Sequence, residues 1–157
     1  MPQLLATDLV HRILEVVVRQ LRAAVGVDAV VAAIGVAPDA APTIAVALDL
    51  SGDVRGPVTW VFPEPVALEL VRRLLSDPDP DPAAAADGAT ELANILTGHA
   101  AAALEAQGFR CTFGVPRVHV GALPRGVSAR MQTVDGPIDL VLSVSQATTR
   151  IRLHPTA

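Results

Sequence analysis

Residues 43–62 read TIAVALDLSGDVRGPVTWVF, and this stretch decides the fold class that the sequence predicts. Large apolar side chains alternate with small ones over residues 43–50, which is typical of a strand with one buried face. A turn at Ser51-Gly52-Asp53 separates this strand from a second one over residues 54–62. Strands joined by such a short turn pair antiparallel, so the stretch predicts a β-hairpin.

Outward from this hairpin, the same patterns predict three helices and four more strands. The helices cover residues 4–25, 65–75 and 83–107, and the strands cover residues 29–35, 117–122, 127–133 and 138–144. Thr7 or Asp8 is the expected cap of the first helix, and Gly26 is its expected end. Pro65 suits the first turn of the second helix, and Gly108 stops the third. Asp135-Gly136 predicts a hairpin turn between the last two strands.

The segment Asp77-Pro-Asp-Pro-Asp-Pro82 is predicted to be a rigid exposed loop, because its prolines exclude a helix and a central strand. Neither flank looks complete alone, so we expect a single domain over residues 1–157. The predicted order is α-βββ-αα-βββ. It indicates an α+β fold with a mainly antiparallel sheet of about six strands and long helices packed on it.

Composition excludes several classes of protein. The chain is 51% hydrophobic with a mean hydropathy of +0.45, but no apolar run approaches the roughly 18 to 20 residues of a spanning helix. We therefore expect no membrane insertion, and without a secretory signal we expect a cytoplasmic protein. A net charge of −4 and 3% aromatic residues argue against nucleic-acid binding. Cys111 is the single cysteine, which excludes an internal disulfide.

The third predicted helix contains a polar stripe. At about 100° per residue, Asp87, Glu91, Asn94 and Gly98 lie within roughly 60° of one another. The apolar residues Leu92, Ile95, Leu96 and Ala103 centre on another direction, so one face can be buried while the stripe stays exposed. Gly98 costs the helix about 1 kcal/mol relative to Ala. Because glycine has no side chain, the backbone of a partner can also approach the stripe closely at this position.

A carboxamide and a carboxylate on one helix face can support phosphoryl chemistry. The Asn94 carboxamide holds a donor and an acceptor in fixed geometry, so it can orient a water for in-line attack on phosphorus, as a Gln does in GTPases. Glu91, one turn away, can pair with a lysine of a partner. This pairing would fix the angle at which the Asn94 amide enters the partner's site. Such ordering of one water is proximity catalysis.

The segment resembles the CheX/CheC/FliY family of chemotaxis phosphatases. The family pattern is Asp or Ser, three residues, Glu, two residues, Asn, about twenty residues and Pro. This chain has Asp87-x3-Glu91-x2-Asn94, then Pro116 after 21 intervening residues. The order of elements fits over almost the whole chain. Only one Glu-x2-Asn occurs, whereas CheC carries two such helices, so the resemblance favours the CheX-like branch.

This resemblance implies a function, a partner and an assembly. Family members dock this helix on the phosphorylated CheY receiver, where Asn94 would position the water that hydrolyses the aspartyl phosphate and Glu91 would pair with the receiver's lysine. Asp87, Gly98 and Pro116 would belong to the partner-binding surface. The Mg²⁺ would belong to the receiver, so the chain would need no cofactor of its own. The resemblance also implies a homodimer formed through sheet edges.

Other interpretations remain open at this point. One alternative is a non-catalytic module that docks to a receiver or a signalling complex through the same face. A Glu-x2-Asn pair without context is typical of a solvated helix face, and His99 of a surface histidine. Cys111, His119 and His11 lack the spacing of metal ligands, which argues against a metal hydrolase. Cys111 is expected to be a small buried apolar residue, although a nucleophilic Cys-His pair needs coordinates to be judged.

Overall fold

The computed structural model describes residues 3–35 and 43–146. The sequence leaves open whether residues 147–157 extend the last strand or fray, and these residues lie outside the described ones. The helices are α1 Thr7–Val25, α2 Glu64–Leu75 and α3 Ala85–Ala106, and a short 3₁₀ helix, Pro82–Ala84, leads into α3. The strands are β1 Gln3–Leu4, β2 Ala29–Ile34, β3 Thr43–Gly52, β4 Val54–Pro63, β5 Cys111–Phe113, β6 Arg117–Val118, β7 Val127–Thr133, β8 Gly136–Leu142 and β9 Ser145–Gln146.

The described strands form one antiparallel sheet with β4 at its centre. β4 pairs with β3, β8 and β9, and the sheet continues from β8 through β7 to β2 at one edge. At the other edge, β3 pairs with both β5 and β6. The predicted α+β class and antiparallel sheet are confirmed. The nine described strands exceed the predicted six because β1, β5 and β9 contain only two or three residues each and give no periodic signal.

The helices pack on one face of the sheet and enclose the main core. Its largest buried side chains come from both layers and include Trp60, Phe62, Leu14, Leu21, Leu92 and Leu96. The Trp60 Nε1–H donates a buried hydrogen bond of 2.8 Å to Thr97 Oγ1, which joins β4 directly to α3. Because leaving either polar group unpaired in the core is costly, this bond fixes which face of α3 turns toward the sheet.

Local signals in the sequence predict several element ends correctly. However, α1 begins at Thr7 rather than at residue 4, and the strand predicted over residues 117–122 spans only Arg117–Val118. Gly26 caps α1 in a left-handed conformation (φ 69°), and Pro65 lies in the first turn of α2. The predicted cap of α1 is wrong: the capping residue is Ala6, and no side chain caps the helix. The reason is that the Ala6 carbonyl accepts from the Leu9 and Val10 amides, which places Thr7 and Asp8 inside the first turn.

Both predicted hairpins occur, but the second turn lies one residue earlier than the predicted Asp135-Gly136, because Gly136 is already the first residue of β8. β3 and β4 turn back at Asp53, whose Oδ2 accepts a 2.8 Å hydrogen bond from the Arg110 amide. In the second hairpin, Thr133 pairs with Gly136, so the loop residues are Val134 and Asp135. Within the described residues, no helix combines the length and the apolar character that a bilayer crossing needs.

Candidate functional site

The inner face of α3 is fixed by its neighbours. Its buried residues are Ala85, Gly88, Ala89, Leu92, Ala93, Leu96, Thr97, Ala100, Ala101 and Leu104. At Gly88 the helix approaches α2 so closely that a Cβ would lie 2.2 Å from Val71 Cγ2. Together with the bond from Trp60 to Thr97, this contact sets the rotation of α3 about its own axis.

Glu91 and Asn94 lie on the opposite face of α3, and both are exposed. They are three residues apart, so their side chains emerge as neighbours one turn apart. Among the described residues, neither side chain makes a hydrogen bond or an ion pair. Both groups are therefore available to another molecule, and their catalytic roles stay a prediction.

Asp87 and Gly98 continue the same face in the two directions. Asp87 is exposed in the first turn of α3, where a negative charge interacts favourably with the helix dipole. Gly98 is half-buried, and a Cβ there would lie 3.5 Å from the Phe113 Cζ, an ordinary van der Waals distance. The packing of the described residues therefore does not require a glycine at position 98, in contrast to Gly88.

Phe113 is the residue at this site that the sequence analysis missed. Its ring rests against Gly98 from β5 and is 36% exposed. Phe113 is a large aromatic side chain in a chain with 3% aromatic residues, and it stands three positions before Pro116. The strand is too short for a periodic pattern, so nothing in the sequence indicated that Phe113 would lie beside α3.

Pro116 lies at the same edge, directly before β6, and is half-buried. Between β5 and β6, the Gly114 amide still donates to the Asp49 carbonyl oxygen of β3. The pairing is interrupted at residues 115–116, which suits a proline because it has no amide hydrogen. Pairing resumes at Arg117, whose guanidinium binds both carboxylate oxygens of Asp49 at 3.0 and 3.3 Å. The structure thus brings Phe113 against Gly98, and Pro116 follows three residues later at the same edge of the sheet.

The structure also places two histidines that the sequence analysis considered, His99 and His119. His99 is exposed, and His119 Nε2 lies 2.8 Å from the Ala122 carbonyl oxygen. No group of three or more His, Cys, Asp or Glu side chains within residues 3–35 and 43–146 is arranged to hold a metal ion.

Cys111 is half-buried rather than fully buried, and it packs against the main core. Burial raises the pKa of its thiol, and the charges of Glu105 and Asp53 raise it further. A raised pKa keeps the thiol protonated near neutral pH and lowers its nucleophilicity. This arrangement disfavours the Cys-His nucleophile that the sequence left open.

The family model described as chemotaxis phosphatase CheX matches residues 44–132, which include the whole of α3 and Pro116. No curated protein matches the sequence. Several solved structures share the fold. The chemotaxis protein CheX from Vibrio vulnificus has a TM-score of 0.73 and 18% identity, and the match covers 88% of this chain and 99% of that chain.

Two further structures show the breadth of the fold. A chain of the CheX-CheY-BeF₃-Mg²⁺ complex from Borrelia burgdorferi matches with a TM-score of 0.68 and 18% identity, over 90% of this chain and 98% of that chain. A chain of the FliG-FliM complex from H. pylori matches with a TM-score of 0.61 and 11% identity, over 90% and 96%. At these identities the likeness establishes the fold.

Proposed function

Because the chain belongs to the CheX family of chemotaxis phosphatases, we propose that it hydrolyses the aspartyl phosphate of a CheY-like receiver. The observation that carries the proposal is the exposed pair Glu91 and Asn94 on α3, whose side chains have no partner among the described residues. The Borrelia burgdorferi complex, in which a CheX is bound to CheY with BeF₃ and Mg²⁺, supports a receiver as the partner.

In the proposed reaction, Asn94 acts on the attacking water. Its carboxamide oxygen accepts a hydrogen bond from the water and holds it in line with the scissile bond, which runs from phosphorus to the aspartyl oxygen. Attack forms a new bond from the water oxygen to phosphorus and breaks the bond to the aspartyl oxygen. The products are inorganic phosphate and the free aspartate carboxylate of the receiver, with the water proton passing to the phosphate or to solvent.

Glu91 is proposed to align the complex rather than to touch the reacting atoms. Its carboxylate pairs with the lysine of the receiver's active site, and the fixed spacing of one helical turn then places Asn94 at the phosphoryl group. The Mg²⁺ that neutralises the phosphoryl oxygens belongs to the receiver in this proposal. Glu91 and Asn94 therefore need no metal bound to this chain.

The fold alone does not determine catalysis, because a chain of the FliG-FliM complex shares it. A docking module without activity would use the same face of α3 but would have no chemical need for the Asn94 amide. The presence of both side chains, exposed and unpaired among the described residues, favours hydrolysis over docking alone.

We also propose a cytoplasmic homodimer that forms through sheet edges. β2 pairs only with β7 among the described strands, and it exposes the apolar side chains of Val30, Val31 and Ile34. An open strand with exposed apolar groups is a template for pairing with a second chain. Sedimentation of the wild-type chain and of Val31→Lys tests this assembly, and a monomeric wild-type chain contradicts it.

The test of the activity is phosphate release from the CheY-type receivers of the source organism, phosphorylated with acetyl phosphate. We expect the wild-type chain to accelerate the decay of at least one receiver. Asn94→Ala should remove about a hundredfold of the acceleration, equivalent to about 2.7 kcal/mol, and still bind. Glu91→Ala should lower the acceleration and should also weaken binding of the receiver.

Two matched variants control for changes elsewhere in α3. Gln107→Ala removes an exposed carboxamide and Glu105→Ala removes an exposed carboxylate, both at the far end of the helix. Each should leave the decay rate unchanged. A wild-type chain that binds phosphorylated receiver without changing its decay would establish the docking module instead.

A further inference from the structure

An uncharged apolar surface lies beside the polar stripe of α3, and we call it the ledge. It consists of Phe113 on β5, Val115 in the connection and Val118 on β6. These side chains are 36%, 84% and 50% exposed, respectively. Concentrated exposed apolar groups of this kind are uncommon on a free protein surface and mark contact sites.

The register of the sheet edge places two of the three ledge residues, Phe113 and Val118, on the same side as α3. Phe113 pairs with Leu50 and Val118 pairs with Val46, and both partners belong to the core beneath the helices. Residues directly opposite each other in an antiparallel pair point to the same face. Phe113 and Val118 therefore face the helix layer, and both short strands lie against α3.

Arg117 is the charged residue between Phe113 and Val118 in sequence, and it lies on the opposite face of the sheet from them. It pairs with Ala47 and binds Asp49 on that face. The ledge is therefore apolar although a cation adjoins it in sequence.

We propose that the ledge is the apolar half of the receiver-docking surface, with Phe113 as its central contact. The proposal rests on the proposed function of α3. The stripe offers a carboxylate, a carboxamide and a glycine, which orient a partner but bury little apolar area. Stable interfaces need an apolar centre, and aromatic side chains are enriched among the residues that dominate binding.

The contact between Phe113 and Gly98 makes the two halves continuous. The ring contacts the helix at Gly98, where the stripe has no side chain, one turn beyond Asn94. A receiver that brings its phosphoryl group to Asn94 would therefore meet the Phe113 ring at the same time. The occupant to which this geometry points is the apolar surface that surrounds the phosphorylation site of the receiver.

The experiment measures binding and turnover separately on receivers of the source organism loaded with beryllofluoride or phosphorylated with acetyl phosphate. Phe113→Ala and Val118→Ser should each raise the dissociation constant and KM about tenfold, with little change in kcat at saturation. Phe113→Leu should restore most of the affinity, because it returns apolar area without the ring.

Two variants serve as matched controls. Leu75→Ala and Val134→Ser remove exposed apolar side chains at the end of α2 and in the loop between β7 and β8. Both positions lie away from the β3 edge, so affinity should not change. The melting midpoint of each variant shows whether it folds. If a ledge variant has a lowered midpoint, Val115→Ser replaces it, because Val115 lies outside the core.

The outcomes separate the two proposals. A wild-type chain that binds no receiver overturns both the activity and the ledge. If Phe113→Ala and Val118→Ser hydrolyse the receiver phosphate with the same KM as the wild-type chain, the ledge proposal is overturned and the proposed activity stands. Ledge variants that turn a dimer into a monomer show that a second copy of this chain occupies the surface, which also overturns the proposal.

Discussion

Gly88 and Gly98 belong to the same helix, yet their surroundings differ. A Cβ at Gly88 would overlap both methyl groups of Val71, at 2.2 and 2.9 Å, whereas a Cβ at Gly98 would meet Phe113 at 3.5 Å. The first glycine is required by the packing of α3 against α2. The second is tolerated at a cost of about 1 kcal/mol in helix propensity without any such need inside the chain.

The difference extends to the two faces that carry these glycines. The inner face holds buried apolar side chains and Thr97, whose hydroxyl is paired with Trp60. The outer face holds Glu91 and Asn94, unpaired among the described residues. Substitutions on the inner face should therefore change stability, and those on the outer face should change what the chain does to a partner.

The largest expected effect is on the inner face. Gly88→Ala should lower the free energy of unfolding by about 2–3 kcal/mol, because the added methyl overlaps a β-branched side chain that has little freedom to move. Chemical denaturation measures this loss. Val71→Ala in the same chain should recover part of it, and a double-mutant cycle gives the coupling between the two positions.

A gain in stability for Gly88→Ala would contradict the contrast between Gly88 and Gly98. If Gly88→Ala raised the stability, as expected for an unconstrained helical position, then α2 and α3 would be farther apart than the structure shows. Val71→Ala alone serves as the control, since it removes contacts without adding the methyl to α3.

A smaller loss is expected from the polar bond of the inner face. Thr97→Val keeps the shape of the side chain but removes the acceptor of the Trp60 Nε1–H, which then stays unpaired in the core. We expect a loss of about 1–2 kcal/mol in the free energy of unfolding, measured in the same way. Thr90→Val is a matched control, because the Thr90 hydroxyl bonds to the Ala86 carbonyl oxygen within the helix. An equal loss in both variants would show that the bond between Trp60 and Thr97 has no particular importance.

The sequence predicts what depends on neighbours along the chain. The turn at Ser51-Gly52-Asp53, the left-handed end of α1 at Gly26 and the start of α2 at Pro65 are local signals, and the structure confirms all three. The stripe of α3 is predicted from helical geometry alone, and the exposure of Glu91 and Asn94 agrees with it.

What the sequence misses depends on residues that are distant along the chain. β1 and β9 are two residues each and exist because they pair with each other and, through β9, with β4. Gly88 carries no local signal either, since only the approach of Val71 from α2 requires a glycine there. Phe113 was missed for the same reason, because its contact with Gly98 joins the short strand β5 to the middle of α3.

The smallest expected change in stability separates the two glycines most clearly. Gly98→Ala should raise the free energy of unfolding by about 0.5–1 kcal/mol, because the methyl meets Phe113 at an ordinary distance and alanine favours the helix. The same variant should lower kcat/KM on phosphorylated receiver by about tenfold or more, since a methyl on the stripe holds the partner away from Asn94 and small displacements of reacting groups are costly. Denaturation and phosphate release on one preparation measure both effects. A more stable chain with unchanged turnover would mean that the partner does not approach α3 at Gly98, and a less stable chain would mean that this glycine, like Gly88, is required by internal packing.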